Sequence, residues 1–163
     1  MIEYDYVKTK RADVQLFEEK HMKFAKPIIR WYTKLNVWVY KASKGRVWNT
    51  FPGGYPICVL GSKGAKSGAW REVALIHLPL EDKELLVASQ GGQDKNPLWY
   101  HNICANPEIE ITVAGLTRKM RAQRVSDDEK AKLWPHLLSL YPDFDEYQAR
   151  TDRNIPVFIC EQI

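Results

Sequence analysis

Hydrophobic positions divide the chain into two regimes. Phe24, Ile28, Trp31, Leu35 and Trp38 recur at spacings of four, three, four and three. That period places them on one face of a helix, with Pro27 expected in its first turn, where a missing N–H is tolerated. From Val47 the period falls to two. Short apolar runs over residues 47–51, 57–60, 73–78, 84–88, 108–113, 118–125 and 155–160 read as strands. The stretch Glu108-Ile109-Glu110-Ile111-Thr112-Val113 alternates cleanly, as a half-buried antiparallel strand does. The joins are turn-like: Pro52-Gly53-Gly54, residues 61–68, Glu81-Asp82-Lys83 and Ala114-Gly115.

Two helices interrupt the strands. Asn96 is a candidate N-cap with Pro97 in the first turn of a helix to about Cys104, closed by Asn106-Pro107. Ser126-Asp127-Asp128-Glu129 is a capping box with acids at the positive end of the dipole, leading into a helix over 130–140. Six or seven short strands with a few inserted helices predict a closed or nearly closed antiparallel barrel. At 163 residues the chain suits one domain, a helical segment over 1–46 followed by the barrel over 47–163.

Composition narrows the compartment. No run reaches the roughly 20 apolar residues that span a bilayer. The first residues carry Glu3 and Asp5 and no apolar stretch, unlike a secretory signal. Cys58, Cys104 and Cys160 are far apart, and none of the four histidines has a partner at metal-ligand spacing. The expectation is reduced thiols in a cytoplasmic protein with no metal site.

Charge adds a further distinction. Residues 8–46 hold eleven Lys or Arg against three acids, so the net charge of +4 belongs to this segment. Over 20–44 the basic, Trp-bearing helix has two readings. It rests on an anionic membrane at the inner face, or it docks on the barrel through Trp31 and Trp38 with its lysines solvated. Docking is the commoner arrangement and is favoured. Nucleic-acid binding would rest on this segment alone and is not expected.

Three segments carry candidate chemistry. The first, 60–71, combines glycines that turn amides toward a ligand (Gly64 and Gly68 among them) with cationic donors Lys63, Lys66 and Arg71. Its natural guest is an anion such as phosphate. Its spacing departs from a Walker loop. The second leaves a strand at Ser89 and runs through Gly91 and Gly92 to Asn96, Pro97, Trp99 and Asn102. Adjacent glycines admit a flat ring, and a helix start offers free amides, although a plain Gly-Gly turn before a packed helix fits equally well. In the third, Tyr141, Phe144 and Tyr147 share one helical face, as a ligand wall or as a core stripe.

In order, Gly-x-Lys-Ser-Gly-x-x-Arg, Ala-Ser-x-Gly-Gly-x-x-x-Asn-Pro-x-Trp-Tyr-x-Asn and Tyr-Pro-x-x-x-x-Tyr-Gln-x-x-Thr-x-Arg-x-Ile-Pro-Val resemble the deazaflavin-dependent nitroreductase family of actinobacteria. The resemblance runs from about Val47 to the end of the chain. It implies a split antiparallel β-barrel of the FMN-binding type with peripheral helices. It also implies coenzyme F-420 as cofactor and hydride transfer to a quinone or a nitroaromatic compound. FMN is the alternative cofactor, and a non-catalytic carrier of F-420 or a lipid is the alternative role.

By resemblance, Lys66, Ser67, Gly68 and Arg71 hold the phosphate and acidic tail. Ser89, Gly91, Gly92, Asn96, Pro97, Trp99 and Asn102 cradle the deazaflavin. Tyr141 and Tyr147 wall the acceptor, with Ser89 a third candidate for orienting it or relaying its proton. Ala65 and Gln90 stand where basic residues are frequent, which weakens the hold on an anionic tail. Phe144 stands where a tyrosine can face the acceptor, which disfavours nitroreduction and leaves an apolar pocket intact.

Overall fold

The structure, a computed structural model, describes residues 4–14 and 22–163. Residues 20 and 21 of the basic segment, and the side chains of 22–30, lie outside that description. Helix α1 (Met22–Ala42) realises the helical period, but it begins before Pro27. The proline therefore sits inside the helix, at the cost of one ladder bond, and not in its expected first turn.

The face that α1 turns to the barrel also departs from expectation. Val37 and Tyr40, 5% and 1% exposed, pack on Ile57, Val59 and Ala74. The Tyr40 hydroxyl donates to the Ile57 carbonyl (3.2 Å) and accepts the Ala114 N–H (2.9 Å). Trp31 and Trp38 are each 67% exposed, so they do not dock the helix. Tyr40 wins the contact because it offers both an apolar ring and a hydroxyl for two backbone groups at the wall.

Eight strands follow: β1 (Thr50–Phe51), β2 (Tyr55–Lys63), β3 (Trp70–Ile76), β4 (Pro79–Leu80), β5 (Lys83–Val87), β6 (Glu108–Val113), β7 (Leu116–Arg124) and β8 (Val157–Gln162). Their order is β1-β2-β6-β7-β8-β5-β4, with β3 also on β2, and every pairing is antiparallel. The strand expected over 47–51 shrinks to its last two residues, because Trp48 adopts φ 52°, a left-handed conformation that no strand accommodates.

The strand expected over 73–78 runs instead from Trp70 to Ile76 as β3, and a short β4 follows it at Pro79–Leu80. Between them the His77 N–H donates to the Pro56 carbonyl (2.9 Å), and the Leu78 carbonyl accepts the Leu85 N–H (2.8 Å). One bent segment thus bonds to β2 on one side and β5 on the other, which curls the sheet into a split barrel. Ala114 and Gly115, at φ 49° and 82°, make the tight β6–β7 hairpin turn.

Two cores result. Leu60, Leu86, Ile111, Met120 and Phe158 fill the barrel under Trp99 and Ile103 of α2 (Leu98–Ala105). Leu85, Val87 and Ile155 pack against Trp134 and Leu137 of α3 (Asp127–Leu140) and Phe144 of α4 (Asp143–Arg150). The capping box of α3 forms as expected: Ser126 Oγ accepts the Glu129 N–H, and Glu129 Oε2 accepts the Ser126 N–H. Residues 4–14 strap across α3 and α4. Asp145 accepts from the N–H groups of Lys8 (3.0 Å) and Thr9 (2.7 Å), the Thr9 hydroxyl (2.7 Å) and Trp134 Nε1 (3.0 Å). Burial opposes its charge, but these bonds hold the carboxyl below the usual carboxylate range.

Candidate functional site

The end of β5 leads into a tight turn, Gln90–Gly92, in which φ is positive three times running: 46° at Gln90, 65° at Gly91 and 80° at Gly92. This turn forms one wall of a cavity of about 270 Å³. Ser89, Gln90 and Gly91 line it from that side, and Pro97 and Trp99 from the start of α2. Ala74, Leu75 and Ile76 come from β3, and Phe51 from β1. Tyr141, Phe144 and Tyr147 close the far side. The second and third candidate segments, some fifty residues apart, therefore share one apolar space.

The two phenols of that wall hydrogen-bond each other, Tyr141 Oη to Tyr147 Oη at 3.0 Å. Burial, then the bond to Tyr147, pushes the Tyr141 phenol well above its ordinary value, so it stays neutral. Its ring meets Tyr55 and Phe144 edge-on, with centroids 4.7 and 4.9 Å away. The spacing of Tyr141, Phe144 and Tyr147 thus lines the cavity and forms a core stripe at once.

Other candidates take different places. A Cβ on Gly92 would lie 2.6 Å from the Tyr147 carbonyl oxygen and 2.9 Å from Arg150 Cβ, so that glycine admits α4. Asn96 does not cap α2. The helical dihedrals begin only after Pro97 (ψ 156°), which occupies the cap position without a side-chain bond. The Asn96 side-chain Oδ1 instead accepts from Arg153 Nη1 at 2.5 Å. Asn102 lies outside the cavity wall, and its Oδ1 accepts the Ala65 N–H at 3.0 Å.

That bond fastens the glycine loop between β2 and β3 to α2, and Asn106 Nδ2 adds a second tie to the Lys63 carbonyl (3.3 Å). Inside the loop the Gly68 N–H donates to the Gly64 carbonyl (2.9 Å), and Gly68 holds φ 66°. Lys63, Lys66, Ser67 and Arg71 are all exposed, and none lines the 270 Å³ cavity. Arg71 instead faces a second groove, about 450 Å³, where Lys34, Trp38 and Lys41 of α1 pass Trp70 and Glu72 of β3.

Sequence reasoning gave no role to Phe51, to β3 residues 74–76 or to Arg153. The first two carried no chemical signal, since apolar strand residues look alike inside and outside a pocket. Arg153 was visible as a fixed member of the third motif, but only the fold shows what it holds.

A largely apolar cavity lined by β1, β3, the Ser89–Gly91 turn and α4, together with a cationic glycine loop tied to α2, sits on a split β-barrel. The chain belongs to the F420H(2)-dependent quinone reductase family, whose profile matches residues 31–162. A putative F420H(2)-dependent quinone reductase of Mycobacterium tuberculosis is 38% identical over 104 residues, covering 64% of this chain and 87% of the relative. A second, named F420H(2)-dependent quinone reductase in the same organism, is 36% identical over 124 residues, covering 74% and 83%. Among solved structures, an F420-H2 dependent reductase superposes with a TM-score of 0.61 at 38% identity, covering 65% of this chain and 94% of that one. Membership makes the chain an oxidoreductase that takes hydride from reduced coenzyme F-420 and delivers it to a quinone.

Proposed function

We propose that the 270 Å³ cavity is where the deazaflavin ring and its acceptor meet, and that Lys63, Lys66 and Arg71 hold the anionic tail outside it. The observation that carries this reading is the convergence of Ser89, Gln90 and Gly91, of Pro97 and Trp99, and of Tyr141, Phe144 and Tyr147 around one space. Its volume lies just below the roughly 300–1,000 Å³ of drug-sized ligand pockets, too small for a whole cofactor. The cationic loop is anchored at Asn102, five positions along α2 from Pro97, or about 8 Å at 1.5 Å per residue. A phosphate-bearing chain leaving the cavity along α2 reaches it.

When bound, the coenzyme supplies a two-electron hydride donor, so no strong base is needed from the protein. Pro97, Trp99 and Gly91 offer a flat apolar bed, and Phe51 and Phe144 keep water out. With Tyr141 donating to Tyr147, the Tyr147 O–H is left to donate to the acceptor oxygen. Ser89 is the second polar group available to orient that oxygen. With Phe144 lacking a hydroxyl, the wall suits a quinone better than a nitro group. Phe144→Tyr raises nitroaromatic reduction relative to quinone reduction, and an unchanged ratio of the two rates refutes that assignment.

The acceptor is lipid-soluble in this reading, and the protein collects it at the inner face of the membrane through residues 20–44. Trp31 and Trp38 stand exposed on α1 with Lys34 and Lys41 on the same face. Val47, Trp48, Phe51 and Trp70 extend the exposed apolar surface toward the cavity, which Phe51 also lines. No described helix is long and apolar enough to cross a membrane, so the contact is peripheral.

Titration of the purified protein with F-420 and with FMN, followed by turnover of reduced F-420 with a quinone, tests the main reading. Lys66→Ala and Arg71→Ala each weaken F-420 binding about tenfold or more, from roughly 1.5–3 kcal/mol per charge-assisted bond. Parental affinity in both variants at low salt places the tail elsewhere.

A further inference from the structure

Arg153 lies just beyond α4, and its side chain touches neither the cavity nor the cationic loop. Its Nη1 donates to the Ala88 carbonyl (3.0 Å) and Asn96 Oδ1 (2.5 Å). Its Nη2 donates to the carbonyls of Ser89 (3.0 Å) and Gln93 (2.9 Å), and Nε to Gln93 again (3.1 Å). A guanidinium has five N–H donors, and these bonds use every one. All the acceptors belong to residues 88–96, the segment that carries Ser89, Gln90 and Gly91 along the cavity.

Neighbouring donors reach the same segment. Arg150 Nη1 donates to the Gly91 carbonyl (3.2 Å), and the Thr151 hydroxyl to Asp94 Oδ1 (3.0 Å). Residues 150–153 thus form a seam between the acceptor wall, Phe144 and Tyr147 on α4, and the wall opposite. The seam holds a costly conformation. Gln90 at φ 46° is a non-glycine residue in the left-handed region, a strained conformation that only surrounding bonds sustain.

We propose that Arg153 is a positioning residue for the reaction: its guanidinium fixes the Ser89–Gly91 wall against the Tyr147 wall and so sets the ring-to-acceptor geometry. Hydride transfer needs reacting atoms within about 3–3.5 Å, so a wall displaced by an ångström lowers the rate steeply without emptying the site. Lysine cannot replace the arginine, because a single ammonium cannot span four acceptors spread over nine residues. The inference rests on the cavity being the cofactor and acceptor site.

The test compares Arg153→Ala and Arg153→Lys with the parent for F-420 affinity by fluorescence, kcat and KM for a soluble quinone, and Tm. Both variants lose at least tenfold in kcat, and Arg153→Lys does so although it keeps the charge and the apolar stem. Millimolar guanidinium or methylguanidinium restores a measurable part of kcat in Arg153→Ala, which a purely structural defect does not allow. If Arg153→Ala fails to fold, Arg153→Lys carries the comparison alone. Parental kcat in a folded Arg153→Lys overturns the inference, as does a folded, inactive Arg153→Ala that guanidinium leaves unmoved. A parent that binds no F-420 sinks the cavity assignment and this inference with it, whereas a parent that binds beside unmoved variants sinks only the inference.

Discussion

Lys130 on α3 lies 4.9–5.6 Å from the rings of Trp134, Tyr6 and Tyr4 and is 2% exposed. Lys34 and Lys41 on α1 border a groove with Trp38 and Trp70, all four exposed. The residue types are the same, and the sequence gives no local reason for them to behave differently. The difference lies in what covers them. Over α3 the strap of residues 4–14 lays two tyrosines on the ammonium, and two amide oxygens, Gln148 Oε1 (2.7 Å) and Asn154 Oδ1 (2.5 Å), accept its protons. A buried cation surrounded this way is tolerated, and its removal leaves polar groups unpaired. On α1 the helix spends Val37 and Tyr40 on the barrel and leaves its tryptophans outside. Burial therefore separates the two clusters: the chain itself covers Lys130, whereas Lys34 and Lys41 stay open to solvent, Lys41 paired with Glu72 of β3.

The largest expected effect tests the buried cluster. Trp134→Ala removes a side chain 1% exposed, together with the Nε1 donor to Asp145. Urea unfolding should show a loss of about 3–5 kcal/mol, the range for an aromatic core truncation. Trp38→Ala should change stability by no more than about 0.5 kcal/mol, as exposed positions do. Comparable losses at the two sites would erase the contrast.

A second effect is read in pH. Burial pushes the Lys130 ammonium down to about 7 from an ordinary value of 10.5. Between those values the unfolded chain binds the proton that the folded chain has released, so folding gains stability as pH rises from about 7 toward 10. Below about 7 both states are charged and the gain is absent. Lys130→Met lacks this term. The stability of the parent relative to Lys130→Met should therefore climb between pH 7 and pH 9.5. A pH-independent gap would mean that the rings and amides hold the ammonium charged throughout.

Much of this was legible in the residues. The alternation of 108–113, the Ser126 capping box and the three ordered motifs led to the strands, to α3 and to the family, because each is local or fixed in order. The parts that were not legible depend on distant chain. Tyr40 displaced the tryptophans from the α1 seam through bonds to Ile57 and Ala114, the latter 74 positions away. Asn96 looked like a cap and became a partner of Arg153, 57 positions on. Gly92 looked like room for a ring, and its missing side chain makes room for α4. In each case the residue type announced an interaction correctly, and only the fold chose its partner.

The smallest effect belongs to the exposed cluster and decides what covers it. Each Lys or Arg near an anionic bilayer contributes about 1 kcal/mol of attraction. Indoles set at headgroup depth add an apolar anchor. Lys34→Gln should thus weaken binding to anionic vesicles by about fivefold, and Lys34→Gln with Trp38→Ala by more. Neither change should alter Tm or turnover of a short, water-soluble quinone, since both side chains lie outside the 270 Å³ cavity. Turnover of a long-chain quinone embedded in the same vesicles should fall in step with binding. Neutral vesicles serve as the control, because they offer the indoles a surface but give the lysine no attraction. A parent protein that ignores anionic vesicles, or variants that bind them as the parent does, would exclude membrane docking through this face. A loss on embedded quinone alone, with soluble turnover intact, would tie the exposed cluster to the supply of the acceptor, as the buried cluster is tied to the fold.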